Sequence, residues 1–273
     1  MHHLLRSVLL TAVLLSAAHA ASVDGIEIHS ESAGSGPTIV FVHGWTCDTS
    51  SWLDQVPAFD DDYRVIALDL PGHGRSESPA ADAFSMQLFA DAIEAVRAEA
   101  GAEQIVLVGH SMGAPVIRNY ALSYPDRVAG LVAVDGQLAQ RGFGGGGGGA
   151  GAAPQFQLTR EMREGMIRGM FVEATPADLQ EHILEMMLGA PEATASGAMA
   201  AMFAGASQPQ GVIQAPALAI MAGTAQLPSA EALQETIPNF SAVQVPGTGH
   251  FLMMEKPDEF NVLLREFLVE INF

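Results

Sequence analysis

Gln104-Ile105-Val106-Leu107-Val108-Gly109-His110-Ser111-Met112-Gly113 decides how the chain is read. Its first half is nearly continuous in β-branched and aliphatic residues, the pattern of a strand covered on both faces. Its second half has the spacing Gly-x-Ser-x-Gly, and a helix is expected to open directly after it. A serine on a sharp strand-to-helix turn needs small residues two positions to either side, because the backbone there runs close to neighbouring elements. Gly109 and Gly113 meet that need. Such a turn points the Ser111 hydroxyl at open space and leaves the Met112 N–H at a helix N-terminus, free to donate to a developing oxyanion. Ser111 is therefore the candidate nucleophile.

The strand pattern recurs outward from this turn. Gly25 to Ser32, Thr38 to His43, Tyr63 to Leu68, Val128 to Val134, Pro216 to Ala222 and Ser241 to Val245 carry it. Helices are expected over Phe84 to Ala100 and Ser229 to Thr236. A last helix, from Pro257, places Phe260, Leu263, Leu264, Phe267, Leu268 and Ile271 on one face. This alternation predicts an α/β fold with a doubly wound, mostly parallel sheet. The rhythm breaks at Gly136. Six consecutive glycines, Gly144 to Gly149, read as a flexible tether. Beyond them come helical segments rich in methionine, one opening at Thr175-Pro176-Ala177-Asp178 with Thr175 as its cap. Residues 136–214 are expected to form a Gly-rich loop and helical cap, with 21–135 and 215–273 as the core. Met162, Met166, Met170, Met186, Met187, Met199 and Met202 suit either ordinary helix core or an adaptable apolar pocket lining.

Of 273 residues, 12 are Lys or Arg and 31 are Asp or Glu, a formal net charge of -19. That charge repels a phosphate backbone, so no nucleic-acid partner is expected, and it disfavours anionic substrates. The single cysteine, Cys47, excludes an internal disulfide framework and a cysteine-based zinc cluster; it reads as a free thiol beside the pocket. Residues 1–20 carry Arg6, an apolar run ending near Ala18 and the small-x-small ending Ala18-His19-Ala20, which reads as a cleaved secretory signal peptide. The apolar run falls short of the roughly 20 residues a membrane span needs. An exported, periplasmic or secreted chain with no stable membrane anchor is expected.

His43-Gly44-Trp45 follows the strand TIVFV, and a turn there offers the Trp45 N–H as a second oxyanion donor. Of nine histidines, His2, His3 and His19 lie in the signal, His43, His73 and His110 sit inside turn motifs, and His29 and His182 have no motif around them. His250, in Gly249-His250-Phe251 between the last strand and the last helix, remains as the general base. Asp69 is read as fixing the turn before Gly74. No cofactor or metal is implied.

Taken in order, HGW, DLPGHGRS (Asp69 to Ser76), GHSMG, YPDRVAGLVAVDG (Tyr124 to Gly136), a helical insertion and a late GH before the closing helix resemble the α/β-hydrolase fold family over nearly the whole mature chain. The likeness is to its small capped members. That group holds esterases, lactone hydrolases, carbon–carbon bond hydrolases, cofactor-free peroxidases and, with an aspartate nucleophile, dehalogenases and epoxide hydrolases. Ser111 at the nucleophile position disfavours the last two. In this family the acid usually follows the strand after the cap as Gly-x-x-Asp, and here Gly223-Thr224-Ala225-Gln226 carries no carboxylate. Glu231 is the nearest downstream acid and lies more than a turn away. Some members place the acid at the end of the strand after the nucleophile helix, which makes Asp135 the candidate; a Ser-His dyad aided by backbone or water is the alternative. The resemblance implies a serine hydrolase acting on a small-molecule carboxylic ester or lactone with an apolar acyl part, through an acyl-enzyme. Carbon–carbon bond hydrolysis or peroxidase chemistry at the same residues stays open. So does a hydrolase-fold binding protein or receptor with weak turnover, which the missing acid at Gln226 keeps in view.

Overall fold

The structure, a computed structural model, describes residues 21–138, 157–204 and 209–273. The expected signal peptide and the glycine run Gly144 to Gly149 lie outside the described residues. In chain order the strands are β1 (Ala21–Val23), β2 (Ile26–Ile28), β3 (Ser30–Gly34), β4 (Thr38–Val42), β5 (Arg64–Leu68), β6 (Ile105–His110), β7 (Val128–Val134), β8 (Ala217–Ala222) and β9 (Phe240–Val245). The α-helices are α1 (Val56–Phe59), α2 (Met86–Glu99), α3 (Gly113–Ser123), α4 (Arg160–Arg168), α5 (Ala177–Gly189), α6 (Glu192–Phe203), α7 (Ala230–Leu233), α8 (Leu252–Glu255) and α9 (Pro257–Glu270).

Seven strands form one sheet in the order β3-β5-β4-β6-β7-β8-β9, with β3 antiparallel to β5 and every other pairing parallel. The strand that leads into Ser111, β6, lies at its centre, and Ile105 to Val108 are wholly buried. Such continuous apolar runs are what a parallel sheet covered on both faces requires. Phe260, Leu264, Phe267 and Leu268 are the buried members of the α9 stripe.

Several elements differ from their sequence reading, and the helix expected over Ser229 to Thr236 is confined to α7. The run from Gly25 to Ser32 is not one strand. Asp24 (φ +50°) and Gly25 (φ +81°) form a two-residue turn that folds β1 onto β2 as a hairpin, and the His29 N–H leaves the ladder to bond the Ser76 hydroxyl at 2.8 Å. The helix expected from Phe84 starts at Met86, because the Ser85 side chain accepts the Leu88 N–H at 3.0 Å. Phe84 then packs edge-on against Phe89, with centroids 6.3 Å apart, stapling the helix entry.

Helices α4 to α6 lie between β7 and β8 in sequence and are tied to the sheet side by hydrogen bonds. The Trp45 indole N–H donates to the Ala195 carbonyl at 2.8 Å, and the Thr194 hydroxyl to the Gly72 carbonyl at 2.8 Å. The seven methionines do not form one lining. On α4, Arg163 and Ile167 turn inward, so Met162 and Met166 fall on the outer face and are exposed. Met187 and Met199 are buried in the apolar core. Thr175 does not cap α5. Pro176 takes the cap position without a side-chain bond, and the Thr175 hydroxyl is engaged elsewhere.

Candidate active site

Ser111 stands where β6 ends and α3 begins, with φ +50°. Its N–H donates to the Val134 carbonyl at 2.9 Å, so the strand ladder holds it up to the turn. The two glycines of the pentapeptide have steric causes. A Cβ on Gly109 would sit 2.5 Å from the Gly113 carbonyl oxygen, and one on Gly113 would sit 2.4 Å from that of Val42. Gly136 is confined in the same way, 2.7 Å from the Ser111 carbonyl oxygen.

Asp135 follows β7 with φ +41°. Its N–H continues the ladder to the Ile220 carbonyl at 2.9 Å, and its Oδ1 accepts the Ala222 N–H at 3.0 Å. His250 sits in the loop after β9. Its Nδ1 is 2.5 Å from Asp135 Oδ2 and its Nε2 is 2.8 Å from Ser111 Oγ. With Nδ1 donating to the carboxylate, a neutral imidazole has only Nε2 left as acceptor, and Nε2 faces the serine hydroxyl. The structure thus brings Ser111, His250 and Asp135 together. Gln226 is exposed, as is Glu231 on α7. The turn after β8 is shaped instead by Gln244, whose amide donates to the carbonyls of Ala222, Gly223 and Ala225 at 3.0, 3.2 and 2.7 Å.

The electrostatics favour an ionised Asp135. Burial pushes the Asp135 carboxyl up, but the His250 hydrogen bond and charge, the Ala222 N–H and His110 outweigh it and hold the group below its ordinary value. The neighbouring histidines are neutral structural groups. His110 is pushed down to about 3 by burial and then by His250, and its Nε2–H donates to the His250 carbonyl at 2.9 Å. His43 is lowered by burial and accepts the Leu70 N–H at 2.9 Å. Burial, then Asp48, pushes the Cys47 thiol up to about 12, so the thiol stays protonated in the core.

The backbone N–H groups of Met112 and Trp45 have no hydrogen-bond acceptor among the described residues, although Met112 is almost fully buried. Unsatisfied buried donors are rare. Met112 stands at the N-terminus of α3, and Trp45 in the turn after β4, which crosses to left-handed backbone at Thr46 (φ +57°). Asp69 is structural, as its motif indicated: its carboxylate accepts the Thr49 and Arg75 N–H groups at 2.8 and 2.9 Å. A Cβ on Gly74 would fall 2.3 Å from that carboxylate. Among the described residues no group of three or more His, Cys, Asp or Glu is placed to hold a metal ion, and no helix is long and apolar enough to cross a membrane. Sequence reasoning missed Glu255 and Gln244 and gave Thr175 only as a helix cap; the Thr175–Glu255 bond joins segments far apart in the chain.

A family model described as the alpha/beta hydrolase fold matches residues 37–146. The dihydrolipoyllysine-residue acetyltransferase component of the acetoin cleaving system from Cupriavidus necator is 32% identical over 269 residues, covering 91% of this chain and 68% of that protein. The chain belongs to the α/β-hydrolase fold family of enzymes. Two solved hydrolase structures are similar over nearly all of it. Est816, described as an N-acyl homoserine lactone degrading enzyme, is 28% identical with a TM-score of 0.73, covering 91% of this chain and 99% of its own. A thermophilic esterase from Thermogutta terrifontis is also 28% identical at TM-score 0.73, covering 93% and 97%.

Proposed function

We propose that this α/β-hydrolase is an exported serine hydrolase that cleaves a carboxylic ester or lactone with an apolar acyl part. The observation that carries the reading is the line from Ser111 Oγ to His250 Nε2 at 2.8 Å and from His250 Nδ1 to Asp135 at 2.5 Å. Ser111 Oγ attacks the substrate carbonyl carbon as its proton passes to Nε2. Asp135, kept ionised, orients the ring and stabilises the imidazolium that forms. The Met112 and Trp45 N–H groups receive the oxyanion of the tetrahedral adduct. His250 then returns the proton to the leaving oxygen, which leaves acyl-Ser111. A water molecule, deprotonated by His250, attacks that ester, and the acid departs with Ser111 restored. In a lactone the leaving oxygen stays tethered to the acyl group.

The ester and lactone classes are supported by the descriptions of the esterase and the acyl homoserine lactone degrading enzyme similar to this chain. A net charge of -19 favours neutral over anionic substrates. Export rests on the signal-like residues 1–20. The reading as a binding protein drew on the missing acid at Gln226, and Asp135 at 2.5 Å from His250 removes that ground. A panel of aryl esters and acyl lactones, presented to the mature protein and to Ser111→Ala, tests the proposal. Turnover that falls by about 10³- to 10⁶-fold in the variant is expected. Equal turnover in both proteins sinks it.

A further inference from the structure

The backbone that carries His250 is held by groups outside the Ser111, His250 and Asp135 trio. The Gly249 N–H donates to Glu255 Oε2 at 2.5 Å, and Glu255 Oε1 accepts the Thr175 hydroxyl at 2.9 Å. Thr175 Oγ1 in turn accepts the Val172 N–H at 3.0 Å, which leaves its own proton for Glu255. The next residue is fixed from both sides: the His250 N–H donates to the Met170 carbonyl at 3.1 Å, and its carbonyl accepts from His110. Contact at Gly249 is close enough to exclude a side chain. A Cβ there would meet the Met170 carbonyl oxygen at 2.8 Å and Glu255 Oε1 at 3.0 Å. Met170, Val172 and Thr175 all belong to the segment between α4 and α5, so the helical insertion meets the base loop through these bonds as well as through the Phe171–Phe251 ring contact.

We propose that Glu255 is a positioning residue that fixes the Gly249-His250 backbone and, through Thr175, registers the α4–α5 segment of the cap against the loop bearing the base. The inference rests on the reading of His250 as general base. Among the described residues Glu255 makes no hydrogen bond to the side chains of Ser111 or His250, and it reaches the base through the Gly249 main chain. Its element is well anchored, since Leu252 and Met253 of α8 are fully buried. A carboxylate accepting an amide and a hydroxyl makes charge-assisted bonds roughly twice as strong as neutral ones. Holding the base this firmly matters because a misplacement of about 1 Å can cost on the order of 10²-fold in rate. The arrangement also ties the base to the cap. If the α4–α5 segment lifts, Glu255 loses Thr175 and the His250 N–H loses Met170 together.

The test is the saturable reaction of Ser111 with a fluorophosphonate, which reports the base without a choice of substrate. The maximal labelling rate and the half-saturating concentration are measured for the wild-type chain, Glu255→Ala, Glu255→Gln, Thr175→Val and the double variant Glu255→Ala/Thr175→Val. Glu255→Ala is expected to lower the maximal rate by about 10- to 100-fold, with half-saturation changed by less than about twofold. Glu255→Gln should recover most of that loss, because its amide oxygen still accepts the Gly249 N–H. The double variant should react no more slowly than Glu255→Ala, because both changes break one chain of contacts. A rate for Glu255→Ala equal to wild type, a loss confined to half-saturation, or effects that multiply in the double variant would overturn the inference. If Glu255→Ala does not fold, Thr175→Val decides: an unchanged rate overturns the proposal, and a slower rate restored in Thr175→Ser supports it. A wild-type chain that does not label at Ser111 removes the general-base reading and this inference with it. Labelling that is equally fast in wild type and Glu255→Ala removes the inference alone.

Discussion

Ser111 and Asp135 both hold left-handed backbone, φ +50° and +41°, a conformation that costs non-glycine residues on the order of 1–3 kcal/mol. Their N–H groups are bonded to Val134 and Ile220 on the neighbouring strands, so the sheet holds both turns in place. The close approach at this corner predicts a steep cost for added volume. Gly113→Ala, with its Cβ 2.4 Å from the Val42 carbonyl oxygen, should lose about 1–3 kcal/mol in urea unfolding. Gly165→Ala on α4, where nothing lies within 4 Å, should instead gain up to about 1 kcal/mol from helix propensity. Ser111 was legible in the sequence because its neighbours must be small, and His250 because the other histidines were accounted for. Asp135 was not legible from spacing alone. The ends of β7 and β8 are adjacent in the sheet, so an acid after either strand reaches the same imidazole, and only the folded chain distinguishes them. Glu255 gave no sequence signal, since its bond to Gly249 depends on how the loop after β9 turns and its other partner, Thr175, lies in the cap.

The entry of α2 combines a side-chain cap with an aromatic staple, and its two parts can be separated. Ser85→Ala should cost about 1 kcal/mol of stability, with a range of roughly 0.5–2, while Ser85→Asp should retain most of the cap. Equal stability of Ser85→Ala and wild type in urea would show that the Phe84–Phe89 contact suffices. Most strands were legible from their continuous apolar runs, because burial on both faces leaves no room for polar alternation. The β1–β2 hairpin was missed although Asp24-Gly25 favours this turn, because β1 has only three residues, Ala21–Val23, too few to show a strand pattern ahead of the run from Gly25. The cap was legible as helical, but not in how its helices face. Met162 and Met166 share a face of α4, and which face meets the core is set by the packing of Arg163 and Ile167.

Across the whole molecule, buried histidines link the fold to pH. Burial pushes His73 and His110 down to about 3 from an ordinary 6.5, with His43 next to the first and His250 next to the second adding to the effect. Between those values the unfolded chain binds protons that the folded chain does not, so stability falls as pH drops below 6.5 and continues falling toward 3. These two groups together should lower stability by about 2–3 kcal/mol per pH unit near pH 5, read from urea midpoints across pH 4 to 7. A flat profile there would mean that the histidines charge without cost. The central claim is that Ser111 is activated by a His250 that Asp135 holds. It is tested most directly by treating the protein and its Asp135→Asn variant with a fluorophosphonate, following intact mass and mapping the labelled peptide. The account predicts a single adduct on Ser111, forming about 10²- to 10⁴-fold more slowly in the variant. An adduct on another residue, or equal rates in the two proteins, would contradict it.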